Sequence, residues 1–242
     1  MCTFKSVTFG RRNLISITAL NSTETLPRIP RINELAPDFE ANSTQGPIKL
    51  SNYIGKQWVV LFAHPADFTP VCTTEFIGFA KYADDFAQLN TQLLGISEDS
   101  NFSHLAWIAN IKQNFGVSIP FPVIDDRAGH VAAKFGLIHP GESQTATVRA
   151  VFIIDDKGLI RAFVYYPLTT GRSVEEILRV VEALQVSDKY KVATPEGWQK
   201  GDKVIVPAPA TQKEAESRAS EGYETTDWYF SKKSLPVEPI SK

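Results

Sequence analysis

The sequence predicts an α/β fold: a mixed β-sheet with helices on both faces, followed by a smaller C-terminal arm. Three observations carry this. A continuous apolar run, Trp58–Ala63, and a second buried strand, Thr91–Ser97, are each followed by a stretch of helical periodicity. Between Arg149 and Tyr166 the pattern becomes two apolar runs joined by Asp155-Asp156-Lys157-Gly158, the form of a β-hairpin with a glycine-containing turn. An amphipathic stretch after Ser173 closes the unit. Strand–helix–strand units beside a hairpin leave a sheet with both parallel and antiparallel pairs.

Each element follows from its residues. Trp58-Val59-Val60-Leu61-Phe62-Ala63 is apolar at every position, as a strand covered on both faces must be. Residues 73–88 place Phe76, Phe79, Ala80, Ala83, Phe86 and Ala87 on one helical stripe. Thr91–Ser97 reads as a second buried strand. Phe102–Phe115 reads as a helix with Leu105, Ile108, Ile111 and Phe115 on its inner side. Phe121–Ile124 is a short strand between Pro120 and Asp125-Asp126. Gly129–Phe135 is a short helix that Gly136 closes. Arg149–Ile154 and Leu159–Tyr166 form the hairpin. Ser173 caps the last helix, with Glu175 and Glu176 in its first turn and Ile177, Leu178, Val181 and Leu184 inward. This outline is thioredoxin-like.

Composition bounds the function. The 242 residues suit one large domain with an appendage. At 43% hydrophobic and 21% charged residues, the chain is of ordinary globular composition. Its 25 Lys and Arg against 27 Asp and Glu leave a net charge of −2, which offers no broad basic surface to nucleic acid. No apolar run reaches the roughly 18–20 residues that span a bilayer, so no membrane partner is expected. Only two cysteines are present, Cys2 and Cys72, which excludes a disulfide framework and a zinc site of several thiolates. The chain reads as cytoplasmic.

Three regions are expected: an N-terminal extension over residues 1–30, the α/β domain over 31–187 and the arm over 188–242. Residues 1–30 carry Lys5, Arg11, Arg12 and Arg28 against Glu24 and are rich in Ser and Thr. That composition fits an organellar targeting peptide, but the weak amphipathic pattern favours a loosely packed tail. In the arm, Pro195, Pro207, Pro209, Pro236 and Pro239 break long elements, and Lys203–Val206 reads as one short strand. Trp198, Tyr223, Trp228, Tyr229 and Phe230 are large apolar anchors in polar sequence. Such an arm packs on its own domain or on a second subunit.

The chemistry concentrates in the segment from His64 to Glu75. A buried strand ends near Ala63, a loop with two prolines follows, and a helix begins around Cys72. Ligands of α/β sheets bind beyond the carboxyl ends of the strands, at helix N-termini. Free N–H groups and the helix dipole there favour a thiolate. An isolated buried cysteine would be inert; a rigid loop with a hydroxyl and an imidazole argues for a reactive one. The position three after Cys72 is Glu75, so the chain has no Cys-x-x-Cys redox pair. His64, His104, His130 and His139 lack metal-ligand spacing; they read as solvated or capping residues, and no metal is expected.

The string Pro65-Ala66-Asp67-Phe68-Thr69-Pro70-Val71-Cys72 resembles the active-site loop of the peroxiredoxins, where Pro, Thr and Cys stand at the spacing of Pro65, Thr69 and Cys72. His64 before it, Thr73-Thr74-Glu75 after it, the strand T-V-R-A-V-F-I-I-D and the stretch Y-Y-P-L-T-T-G-R extend the match. Together they resemble the AhpC/TSA-like, one-cysteine class with a long C-terminal arm, over roughly residues 31–232.

The resemblance implies a thiol-dependent peroxidase acting on hydrogen peroxide and alkyl hydroperoxides in antioxidant defence, without a cofactor. Cys72 would be the nucleophile and would become a sulfenic acid. Thr69 would accept from the peroxide and donate to the sulfur. Arg149 would stabilise the thiolate and the leaving oxygen, and Glu75 would hold Arg149 in place. Pro65 would exclude water and fix the loop. Arg172 is a second candidate cation, and His64 a pocket-wall residue. The class also implies a homodimer joined through the arm and permits a larger ring. Related arms carry a cysteine after the aromatic run; here Asp227-Trp228-Tyr229-Phe230 is followed by Ser231, and Cys2 lies outside the match. An external thiol or small-molecule reductant is therefore expected. No G-x-S-x-G occurs, so no lipase activity is carried over. A binding or holdase protein on the same scaffold is the alternative; retention of Thr69 and Arg149 argues for the enzyme.

Overall fold

The computed structural model describes residues 29–236. Most of the N-terminal extension, Cys2 and Pro239 fall outside the described residues. Near the start of the described chain, β1 (Glu40–Ala41) and β2 (Ile48–Lys49) form a small antiparallel ribbon that the sequence reading did not include. The main domain then runs β3 (Trp58–Ala63), α1 (Pro70–Lys81), α2 (Ala83–Gln88), β4 (Thr91–Ser97), α3 (Asn101–Phe115), β5 (Val123–Asp125), α4 (His130–Phe135), β6 (Arg149–Ile154), β7 (Ile160–Tyr166) and α5 (Val174–Tyr190). The arm adds β8 (Val204–Val206), α6 (Gln212–Ser217), β9 (Glu224–Asp227) and β10 (Phe230–Lys233). No helix of the described residues is long and apolar enough to cross a membrane.

The central sheet has the order β5-β4-β3-β6-β7. Its β3–β4 and β4–β5 pairs are parallel, and its β3–β6 and β6–β7 pairs antiparallel. This is the expected thioredoxin-like mixed sheet. The apolar run in β3 is explained by alternation. Val59, Leu61 and Ala63 enter one core, with Leu94, Phe135 and Phe152. Trp58, Val60 and Phe62 enter the other, with Cys72, Phe76, Phe79 and Trp107. In that second core Phe62 stacks on Phe79 with centroids 3.8 Å apart and meets Phe76 edge-on. Gly95 of β4 makes room for these rings: a Cβ there would stand 3.2 Å from Phe76 Cζ.

Four expectations need correction. The helix over residues 73–88 starts earlier, at Pro70, and is two helices broken at Tyr82. The helix over 102–115 keeps Ile108 and Ile111 inward as read but is rotated away from Leu105 and Phe115. His104, Trp107 and Ile111 are buried, while Leu105 and Phe115 are 46% and 57% exposed. Aromatic contacts to Phe76 and the polar partners of His104 decide that rotation, neither of which the apolar periodicity registers. The arm is more structured than one strand: β8, β10 and β9 form a three-stranded antiparallel sheet. Its residues Val192, Trp198 and Val204 share a small core with Ala183 of α5, which runs unbroken to Tyr190. The short strand read over Phe121–Ile124 begins two residues later, as Val123–Asp125. Ser173 accepts from the Glu176 N–H at the start of α5, and Gly136 closes α4 in the left-handed region.

The inward face of α3 is testable. Ile111→Ala should lower unfolding stability by about 2–5 kcal/mol, whereas Leu105→Ala should change it by less than about 0.5 kcal/mol, both read from urea midpoints at constant slope. Equal losses would place Leu105 in the core.

Candidate active site

The chain leaves the sheet at Ala63 and re-enters regular structure as α1. Pro70 takes the first helical position, where no helical N–H partner is needed. Thr69 has the extended backbone of a helix cap, at φ −105° and ψ 146°. Cys72 therefore falls in the first turn, among N–H groups that the helix does not use. Its side chain is fully buried.

Sheet register brings the arginine to it. In the antiparallel β3–β6 pair, Val59 faces Ile154 and Phe62 faces Val151. Carried on by two residues, that register sets Arg149 beside the loop that follows Ala63. Strand alternation sets its direction: Val151 and Ile153, two and four residues on, lie in the core that contains Cys72. Arg149 Nη1 lies 3.3 Å from Cys72 Sγ and donates to Glu75 Oε2 at 2.7 Å. Its Nε and Nη2 both donate to the Leu168 carbonyl, at 2.9 and 2.8 Å.

Glu75, one turn after the cysteine, holds two arginines. Arg172 donates from its backbone N and its Nε to Oε1, and from Nη2 to Oε2, each at 2.8 Å. Its Nη1 donates to the Ala150 carbonyl at 2.7 Å. All three charged side chains are buried. Burial opposes the Glu75 carboxylate, but hydrogen bonds and charge from Arg172, and charge from Arg149, outweigh it and hold its pKa below the ordinary value. The expected Arg149–Glu75 contact is therefore present. Arg172, a loop candidate in the sequence, is a full member of the group.

The remaining residues divide. The Thr69 hydroxyl donates to the Ala66 carbonyl at 2.9 Å. A hydroxyl has one proton, so the expected donation to the sulfur is not made, and its lone pairs remain for a peroxide. Pro65 is partly buried at the base of the loop. His64 is buried against Phe76 and Trp107, and its Nε2 meets Asp67 Oδ1 at 2.9 Å. His104 meets the same carboxylate. This corrects the reading of the histidines: His64 and His104 are buried partners of one acid, while His130 is exposed and His139 stacks on Tyr165. Separations of 2.8–3.1 Å in this group are those of hydrogen bonds, with protons between the heavy atoms.

Sequence reasoning missed Asp67, His104 and the Leu168 carbonyl. Asp67 stood in the matched loop, three residues after His64, and its acid beside an imidazole was the available signal. His104 and Leu168 had none, since each reaches the site through tertiary contact.

The family follows from comparison. The AhpC/TSA family model matches residues 32–163, and the model of the C-terminal domain of 1-Cys peroxiredoxin matches residues 183–222. A peroxiredoxin of Aquifex aeolicus is 54% identical over 217 residues, covering 86% of this chain and 98% of that one. Peroxiredoxin 2 of Caldanaerobacter subterraneus is 56% identical over 211 residues, covering 86% and 95%. A solved structure of yeast mitochondrial 1-Cys peroxiredoxin, described as resolving its thiol through glutathione and thioredoxin systems, superposes with a TM-score of 0.76 at 40% identity, covering 86% of this chain and all of that one. A variant of Peroxiredoxin 6 of Arenicola marina gives a TM-score of 0.71 at 39% identity, covering 77% and 88%. The chain belongs to the peroxiredoxins and is of the one-cysteine class with a C-terminal arm. It is a thiol-dependent peroxidase whose substrates are peroxides.

The buried carboxylate gives stability a pH dependence. Unfolded, Glu75 takes up a proton near about pH 4.3; folded, it does so only at lower pH. Its contribution is complete above about pH 4.3 and is lost as pH falls through the folded value. Glu75→Gln should melt lower than the wild type at pH 7, and the difference should shrink as the pH is taken from 5 towards 3. A constant difference over that range would remove Glu75 from the acid limb.

Proposed function

We propose that Cys72 is the peroxidatic nucleophile and that Arg149, Thr69 and Pro65 complete the catalytic pocket around it. The 3.3 Å approach of Arg149 Nη1 to Cys72 Sγ at the first turn of α1 is the observation that carries this reading. The thiolate attacks one peroxide oxygen. An S–O bond forms, the O–O bond breaks, and the second oxygen leaves as hydroxide or alkoxide and takes a proton from solvent. Thr69 Oγ accepts from the peroxide O–H and aligns the O–O axis with the sulfur. The Arg149 guanidinium, fixed by Glu75 and the Leu168 carbonyl, faces the charge that moves from sulfur to the leaving oxygen. Arg172 and Glu75 act as positioning residues, and His64 forms part of the pocket wall.

The sulfenic acid is reduced from outside the chain. Two external thiols, or another two-electron reductant, return Cys72 to the thiol with release of water. Ser231, at the position where related arms carry cysteine, is buried and hydrogen-bonded to Thr225, and so offers no thiol. Such a cycle suits a reducing compartment, cytoplasmic or organellar. We assign the regions as an extension over 1–30, a peroxidase domain over 31–187 and a dimerisation arm over 188–242. A homodimer is supported by the exposed Trp228 and Tyr229 of the arm and by β7, an edge strand whose outer side is met, among the described residues, by the chain at Asn33–Leu35 near Ile160.

Three outcomes are expected. Cys72→Ser should abolish peroxide consumption, and Arg149→Lys should lower its second-order rate about a hundredfold or more. Full activity in either variant overturns the assignment. Peroxide in excess without reductant should give a sulfinic acid at Cys72 in a chain of monomer mass. A Cys2–Cys72 disulfide in mass spectra would instead make Cys2 a resolving thiol. Sedimentation should find a dimer at micromolar concentration, weakened by the joint change Trp228→Ala and Tyr229→Ala; a monomeric wild type would confine the arm to its own domain.

A further inference from the structure

A second buried charged cluster lies beneath the active-site loop, apart from the arginines around Glu75. His104 stands in the first turns of α3 and is fully buried. Its Nδ1 lies 2.8 Å from Asp67 Oδ2 and 3.1 Å from Oδ1. Its Nε2 lies 3.1 Å from the carbonyl oxygen of Ile124 in β5. A backbone carbonyl only accepts, and so does an ionised carboxylate. Asp67 is ionised: burial opposes its charge, but hydrogen bonds from His104 and His64 outweigh it and hold the carboxyl far below the usual range. A neutral imidazole has one N–H and would turn a lone pair towards one of these two acceptors. We propose that His104 carries a proton on both ring nitrogens and is a positioning residue, its imidazolium clamping Asp67 and, through Asp67, the loop that sets Thr69 and Cys72.

The charges around the pair are consistent with this. His64, at the end of β3, donates from Nε2 to Asp67 Oδ1, and its buried Nδ1 has no partner. Burial lowers its pKa first, and the positive charge of His104 adds to that; bonding and charge from Asp67 and charge from Asp99 oppose it without prevailing. His64 is therefore the neutral member, and Asp67 with His104 forms one balanced pair. Asp99, after β4, accepts from the Asp67 backbone N–H and from Ser97 Oγ. Asp125, beside Ile124, is turned to the Asn101 N–H and to Arg127. Neither acid replaces Asp67 as the counter-charge on the ring.

The loop needs such an anchor. Phe68, between Asp67 and Thr69, has φ +56° and an exposed ring. A left-handed backbone at a non-glycine residue is strained and persists only where its surroundings impose it. Asp67 supplies that constraint from the preceding residue, with its side chain bound to two histidines and its N–H to Asp99. Thr69, the cap of α1, follows directly.

The inference rests on the peroxidase reading only for its kinetic consequence. Its direct test is NMR of the full-length, 15N-labelled wild-type protein, which should show a proton on each ring nitrogen of His104. Asp67→Asn should remove the proton from Nδ1. A single ring proton in the wild type overturns the proposal. For positioning, His104→Gln should lower the second-order rate with hydrogen peroxide about a hundredfold, because it leaves the buried Asp67 carboxylate without its counter-charge, and Asp67→Asn about tenfold, because the ring gives up its proton and both charges go together. The double variant, in which both charges are gone, should lose about tenfold only. Losses that multiply in the double variant overturn the clamp and leave a role in packing alone. A wild type without peroxide turnover would overturn the functional reading instead, with the ring-proton count still deciding the charge of His104.

Discussion

One buried carboxylate between two guanidinium groups organises the reactive end of this molecule. Glu75 receives bonds from Arg149 and Arg172, and none of the three can return to water without opening the core. Separated, each charge would be costly in a low-dielectric interior; together they satisfy one another and two backbone carbonyls. Two positive charges against one negative leave the group short of an anion on the side of Cys72. The sulfur that Arg149 touches stands in that place. The arrangement fits the nucleophile proposed at Cys72 and the role proposed for Arg149.

The sheet makes this geometry hard to alter. Arg149 reaches the sulfur because β6 pairs antiparallel with β3 in one register and alternates its side chains between two cores. A slip of one residue would turn the guanidinium into the opposite core, among Leu61, Leu94 and Phe152. The aromatic group of Phe62, Phe76, Phe79 and Phe121 fills the space beneath α1, and Gly95 admits it. Arg172 also passes over the faces of Phe62 and Phe79, so the charged group and the aromatic core share one wall. Packing and electrostatics act here on the same atoms.

The arm serves a different end. Its small core around Trp198 and Val204 fixes it to α5, and its three strands present Trp228 and Tyr229 outward. Ser231 lies inside that sheet, bonded to Thr225. The arm therefore contributes structure and apolar surface but no sulfur. Cys72 is the one cysteine among the described residues.

The sequence by itself determined the sheet, its hairpin, the capped closing helix and the loop from Pro65 to Cys72, because each depends on local periodicity, caps or adjacent residues. The resemblance of its motifs also implied the pairing of Arg149 with Glu75. The sequence did not determine the rotation of α3, where apolar spacing favoured Leu105 and tertiary contacts chose His104 and Trp107. It did not reveal the break at Tyr82 or the sheet of the arm, whose strands are four residues or fewer and stable only in one another's presence. The direction of the Thr69 proton and the joining of His64 to His104 through Asp67 were decided in the tertiary structure alone. These last features depend on which acceptor stands within about 3 Å of a given atom, and contacts between residues 37 apart leave no trace in the periodicity of either segment.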